Sequence, residues 1–206
     1  MPADRICGVV LAGGKSLRMG RDKALVEIRG QTMIVRAAAE LASLTDEVVI
    51  SASEPVRYES LGYPVIRDIY PGQGPLAGLH AAMAHTQRPL LLLLACDLPR
   101  VRSGFLSRLI ELSDGFDAVL PRSGDGGVHP LCAVYRRTTL PYIEAALIQQ
   151  MNKMTAFLEN SPLKVRWPRS EEGFFEDEDL VNLNSPKDLD DYLAAPKTMP
   201  GGGCGA

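Results

Sequence analysis

The chain has 206 residues, 46% hydrophobic and 23% charged, with a formal net charge of −3. That composition suits one sizeable globular core and is short for two, and it lacks the basic excess of a protein that lives on duplex nucleic acid. Four cysteines, Cys7, Cys96, Cys132 and Cys204, have no paired spacing, so they fit neither a disulfide framework nor a zinc site and suit a reducing cytosol.

Taken in order, the β-branched apolar run at 6–12 reads as a buried strand ending at Gly13-Gly14. Residues 32–44 carry apolar side chains at helical spacing. Residues 47–51 (EVVIS) and 64–67 (PVIR) read as strands, and 78–85 as a helix behind a Gly/Pro-rich loop. The run 90–96 has no polar alternation, which implies burial on both faces, as in the centre of a parallel sheet. A helix at 103–112, strands at 117–121 and 131–135, and helices at 141–150 and 153–158 follow. Ser185-Pro186-Lys187-Asp188 opens a last helix, with Ser185 as cap, Pro186 in the first turn and Asp188 completing a capping box.

This rhythm predicts a three-layer α/β domain with a mostly parallel sheet. Residues 1–193 are expected to form one domain and 194–206, rich in Pro and Gly, a disordered tail. The N-terminal residues show no secretory pattern, and the longest apolar run is too short to span a bilayer. The expected location is the cytoplasm, with neither membrane nor nucleic acid as partner.

Ligands of such folds sit outside the carboxyl ends of the strands. After the first strand, Gly13 and Gly14 leave amides open to an anion, and Lys15, Arg18, Arg21 and Lys23 add four cations. The loop reads either as a phosphate cradle or as a solvated basic turn; the cation density behind a buried strand favours phosphate. Gly8, Gly13, Gly14 and Gly20 are expected to frame it. Its spacing does not fit a Walker A loop, and Gly72, Gly74 and Gly78 have one residue too many for a dinucleotide fingerprint. Asp97 ends the most buried strand, and a carboxylate there needs a partner. It suits a magnesium ion, which one or two carboxylates plus substrate phosphates can hold, and equally a helix cap or a salt bridge. Asp68 has the same position and the same alternatives. His129, between glycines and Pro130, reads as a loop hydrogen-bonder rather than a proton carrier. His80 and His85 read as structural, and Cys96 as core.

GVVLAGGKSLRMGRDKAL at 8–25 resembles the signature of GT-A-like nucleotidyltransferases, and within them the molybdenum cofactor guanylyltransferases, the MobA family. Three further motifs match in order: RD then PGQGPLAG at 67–78, CDLP at 96–99, and VNLNSPKDL at 181–189. The resemblance covers about 6–193 and implies a Rossmann-like αβα fold that transfers GMP from GTP to molybdenum-molybdopterin with release of pyrophosphate. It implies that Leu11, Ala12 and Gly13 contact the nucleotide, and that Gly14 approaches the phosphates. Arg18 and Lys23 would neutralise phosphate charge, Asp68 belong to the nucleotide pocket, and Asp97 hold Mg²⁺. On the same resemblance Asn182 and Asn184 face the pterin or the metal, and His129 lines the acceptor side, with Arg122 on its rim. Ser51 stands where the family often has Asn and can still hydrogen-bond base or ribose. The implied partners are GTP, a molybdopterin-type substrate, and other molybdenum-cofactor biosynthesis or acceptor proteins. The competing readings are a cytidylyltransferase for the same pterin, a sugar-phosphate nucleotidyltransferase, and a non-catalytic nucleotide-binding adaptor.

Overall fold

The computed structural model describes residues 3–12 and 22–194. Its centre is a seven-stranded sheet of β1 (Ile6–Leu11), β4 (Val48–Ser51), β5 (Val65–Ile66), β6 (Leu90–Ala95), β7 (Ala118–Val119), β8 (Cys132–Arg136) and β9 (Val165–Arg166), in the order β5-β4-β1-β6-β8-β7-β9. Two short strands, β2 (Glu27–Ile28) and β3 (Gln31–Thr32), form a separate hairpin. Pairing is parallel from β5 through β4 and β1 to β6, and again between β7 and β9. Only β8 runs against its neighbours, β6 and β7.

The two central strands show why the sequence lacks polar alternation there. On β6, Leu90, Leu92 and Leu94 face one core cluster, while Leu91 and Leu93 face the other. On β1, Ile6 and Val10 pack on the first side, and Cys7, Val9 and Leu11 on the second. Helices α1 (Met33–Ala42) and α3 (Ser103–Glu111) cover the first face. Helices α2 (Pro75–His85), α4 (Leu140–Ile148) and α5 (Met154–Glu159) cover the second. A side chain buried on either face gains about 1.5–3 kcal/mol, so apolar residues are favoured at every position of these strands.

Gly8 lies inside β1 rather than framing the phosphate loop. A Cβ there would meet Leu41 Cβ at 3.0 Å and two methyls of Thr45 and Val48 at 3.2 Å, so its absence lets α1 sit close against the sheet. Helix α2 begins at Pro75, three residues before the expected start. Gly74, with φ of +69°, turns the chain into it, and Pro75 fills its first turn.

The last helix, α6 (Pro186–Ala194), is capped as its sequence predicts: Asp188 N–H donates to Ser185 Oγ (3.2 Å), and Ser185 N–H donates to Asp188 Oδ2 (2.8 Å). A small third cluster of Val26, Ile28, Met33, Leu183, Leu189 and Tyr192 ties this helix to the β2–β3 hairpin. The hairpin turns at Arg29 and Gly30, both with positive φ, as primed turns require. No helix among the described residues is long and apolar enough to cross a membrane. Residues 195–206, most of the expected tail, lie outside the described residues.

Candidate active site

The carboxyl ends of the parallel strands β4, β1 and β6 carry the site. Asp97 follows β6 and is 6% exposed. Its Oδ2 accepts a hydrogen bond and ion pair from Lys23 Nζ, while its Oδ1 is buried with no partner among the described residues. The same Lys23 ammonium donates to Asn184 Oδ1 at 3.3 Å. Three motifs separated by up to 161 positions therefore meet at one nitrogen.

Local chemistry sets each of the three. Asp22 caps the 3-10 turn Lys23–Leu25 by accepting from Ala24 N–H (3.1 Å). It is itself anchored by the buried Tyr58, whose hydroxyl donates to Asp22 Oδ2 at 2.8 Å. Asn184 is held because Leu183 N–H donates to the Asp97 carbonyl (2.9 Å) while the Leu183 side chain is buried in the third cluster. The Asn184 N–H is fixed from the other side by Asp188 Oδ2, at 2.8 Å.

A second group gathers around β4. Ala12 N–H donates to Ser51 O (2.9 Å), and Ser51 Oγ donates to Asp68 Oδ1 (3.3 Å). Burial pushes the Asp68 carboxyl above the usual range, and the Ser51 hydroxyl partly offsets this. Gly78 on α2 closes the group: a Cβ there would lie 2.8 Å from Leu11 Cδ2 and 2.9 Å from Ser51 Oγ. Leu11, Ala12, Ser51, Asp68 and Gly78 thus form one wall, and glycine at 78 keeps it open.

The third group is a cleft of about 510 Å³. His129, Asn182 and Asn184 line it, together with Ser123, Asp125, Asp177 and Glu178, which the sequence did not single out. Turn chemistry was the available signal, since Ser-Gly-Asp-Gly-Gly is a run of residues that bond their own backbone. Arg122 is not among the residues lining the cleft; its guanidinium lies over the Trp167 ring, 5.1 Å from the centroid.

Gly13, Gly14, Lys15, Arg18, Gly20 and Arg21 lie outside the described residues. His80 is buried on α2 with its ring edge-on to Tyr70, consistent with a structural part. Burial pushes the Cys96 thiol up to about 12, so it is no nucleophile at neutral pH.

Among the described residues no three His, Cys, Asp or Glu side chains cluster to hold a metal by themselves. The orphaned Asp97 Oδ1 nevertheless fits a hard cation that takes one carboxylate and fills its remaining positions with phosphate oxygens and water. Asn184 Oδ1 is a second hard oxygen at the same point.

The family model of the MobA-like NTP transferase domain matches residues 8–165. A protein from Pelotomaculum thermopropionicum named "Probable molybdenum cofactor guanylyltransferase" is 37% identical over 187 residues, 88% of this chain and 89% of its own length. The "Molybdenum cofactor guanylyltransferase" of Desulfosudis oleivorans is 33% identical over 199 residues, 94% of this chain and 97% of its own. The crystal structure of molybdopterin-guanine dinucleotide biosynthesis protein A from Archaeoglobus fulgidus superposes with a TM-score of 0.76 at 27% identity, over 90% of this chain and 95% of that one.

Proposed function

The chain belongs to the MobA-like NTP transferase family, and from that premise we propose that it transfers GMP from GTP to molybdenum-molybdopterin, giving molybdopterin guanine dinucleotide and pyrophosphate. The observation that carries the reading is the meeting of Lys23, Asp97 and Asn184 at one point, with Asn184 also lining the cleft.

In the reaction a terminal phosphate oxygen of the pterin attacks the α-phosphorus of GTP. The new P–O bond forms as the bond to the β-phosphate bridging oxygen breaks, and pyrophosphate leaves with that electron pair. No protein nucleophile is needed; placing the two phosphates and neutralising their charge supply the rate. Leu11, Ala12, Gly13, Ser51 and Asp68 hold the guanosine, and Gly14 offers its amide to the phosphates. Arg18 and Lys23 face the triphosphate, Lys23 nearest the α-phosphate. The pterin lies in the cleft against His129, Asn182 and Asn184. Asp97, with Asn184 beside it, would hold Mg²⁺, which when bound neutralises the triphosphate and the departing pyrophosphate.

Lys23 leaves Asp97 for the α-phosphate when GTP enters, because a dispersed phosphate charge with several acceptor oxygens competes well for the ammonium of a side chain that is still 18% exposed. Residues 1–193 act as one catalytic unit in the cytoplasm, handing the product to molybdenum-cofactor acceptor proteins.

Titration calorimetry with GTP, CTP, ATP and UTP in the presence of Mg²⁺ tests the nucleotide assignment. GTP is expected to bind tightest. Preference for CTP would replace GMP transfer by the cytidylyl reaction, a live comparison because Ser51 has one hydroxyl, already donated to Asp68, where an Asn would offer an amide.

A further inference from the structure

The loop 123–129 holds a three-membered hydrogen-bond chain that fixes a histidine tautomer. Ser123 Oγ and Asp125 Oδ1 are 2.6 Å apart, so a proton lies between them. The Ser123 hydroxyl and the Gly127 amide hold the Asp125 carboxyl below its usual range, so the carboxylate has no proton to give at neutral pH. The proton is therefore the hydroxyl's, and the Gly127 carbonyl at 3.2 Å is a second acceptor for the same hydrogen. Ser123 Oγ is left with lone pairs only. His129 Nε2 sits 3.2 Å from it and must be the donor.

A neutral imidazole that carries its proton on Nε2 presents Nδ1 as an acceptor. Burial favours the neutral ring, against the opposing pull of the Asp125 and Asp177 carboxylates. Nδ1 makes no hydrogen bond among the described residues and is not one of their buried, partnerless atoms, so it keeps solvent access on a ring that lines the cleft. The neighbouring walls point the same way, because Asp177 and Glu178, which also line the cleft, carry negative charge. Acceptors on this wall repel a phosphate and welcome a ring edge bearing N–H groups.

We propose that His129 Nδ1 accepts a hydrogen bond from an N–H of the acceptor's pterin ring, with Ser123 and Asp125 as positioning residues that hold the imidazole in the Nε2–H tautomer. The donor-bearing edge of the pterin then sits in the 123–129 loop and its phosphate points to Lys23. The inference rests on the cleft being the pterin's side. Gly127 belongs to the device: a Cβ there would lie 2.7 Å from Ser123 Oγ and 3.1 Å from Asp125 Oδ1. The demand for glycine at 127 is spatial, since its φ is outside the left-handed region.

The test is long-range ¹H–¹⁵N NMR of histidine-labelled protein, with His129 assigned by its loss in His129→Gln, combined with fluorescence titration of 6-hydroxymethylpterin. Wild type is expected in the Nε2–H form. Ser123→Ala should lose that single tautomer and weaken pterin binding about five- to tenfold, the share of one neutral hydrogen bond, and Ser123→Thr should restore both. An Nδ1–H ring in wild type, absence of pterin binding, or unchanged pterin affinity in Ser123→Ala would each overturn the proposal. A chain that passes these tests yet releases no pyrophosphate from GTP and the loaded pterin would refute GMP transfer and leave this inference standing.

Discussion

Replacing Gly78 by alanine probes the nucleotide wall with one methyl group. The added carbon would come within 2.8 Å of Leu11 Cδ2 and 2.9 Å of Ser51 Oγ. Carbon contacts prefer about 3.5–4.0 Å, so roughly 1 Å must open. Overpacking of this kind costs about 1–3 kcal/mol, while alanine for glycine within a helix returns about 1 kcal/mol. The net loss is about 0–2 kcal/mol, equivalent to a fall in Tm of no more than about 8 °C for a chain of this size. The fold survives because the atoms in the way are side-chain ends that can turn aside. Those ends are the proposed contacts of the nucleotide, so affinity carries the larger effect: the Kd for GTP should rise about tenfold or more, since 1.4 kcal/mol of displaced contact suffices. Calorimetry with GTP and a thermal melt of the same sample measure both quantities. Wild-type GTP affinity in a folded Gly78→Ala protein would refute the reasoning, as would a melting point lowered well beyond that range.

Three further outcomes are expected. Asp97→Asn keeps the shape and removes the charge, so pyrophosphate release should fall about 10²–10³-fold while circular dichroism stays unchanged; an undiminished rate contradicts the role given to this carboxylate. Leu183→Ala opens a hole in the cluster that seats Asn184 and should cost about 2–5 kcal/mol in urea denaturation, with a raised KM for the pterin; a loss below about 1 kcal/mol would show that the segment is not anchored there. Asp68 has a folded pKa above its unfolded value because of burial. The folded chain therefore binds this proton more readily, and the charged carboxylate is a penalty above the folded pKa that eases as pH falls towards the unfolded value. Asp68→Asn should accordingly raise stability at pH 7 and lose that advantage in acid, read as urea midpoints across pH; an advantage independent of pH would contradict the assignment.

The long apolar runs were legible because burial on both faces leaves only one kind of residue to choose. Strand direction was not: Cys132 to Arg136 pairs antiparallel with β6, and an apolar run reads the same either way. Two-residue strands such as Glu27–Ile28 and Val165–Arg166 carry too few side chains to show a period. The start of α2 was legible in principle, since a glycine followed by proline marks a turn into a helix. At the site, the residue types flagged Lys23, Asp97 and Asn184 separately. Their meeting depends on a backbone bond from Leu183 to Asp97 and on a buried leucine, both long-range facts. The loop 123–129 drew attention for its glycines and histidine, but the Ser123–Asp125 bond that gives the histidine its tautomer is a matter of 2.6 Å, which spacing does not encode.

The central claim is GMP transfer, and radiolabel supplied in the α-phosphate of GTP tests it directly. Incubated with purified protein, Mg²⁺ and molybdopterin-loaded donor, the label is expected to appear in a pterin dinucleotide, with one pyrophosphate released per label incorporated and CTP a poor substitute. Label that stays in GTP, or a dinucleotide formed faster from CTP, would contradict the account.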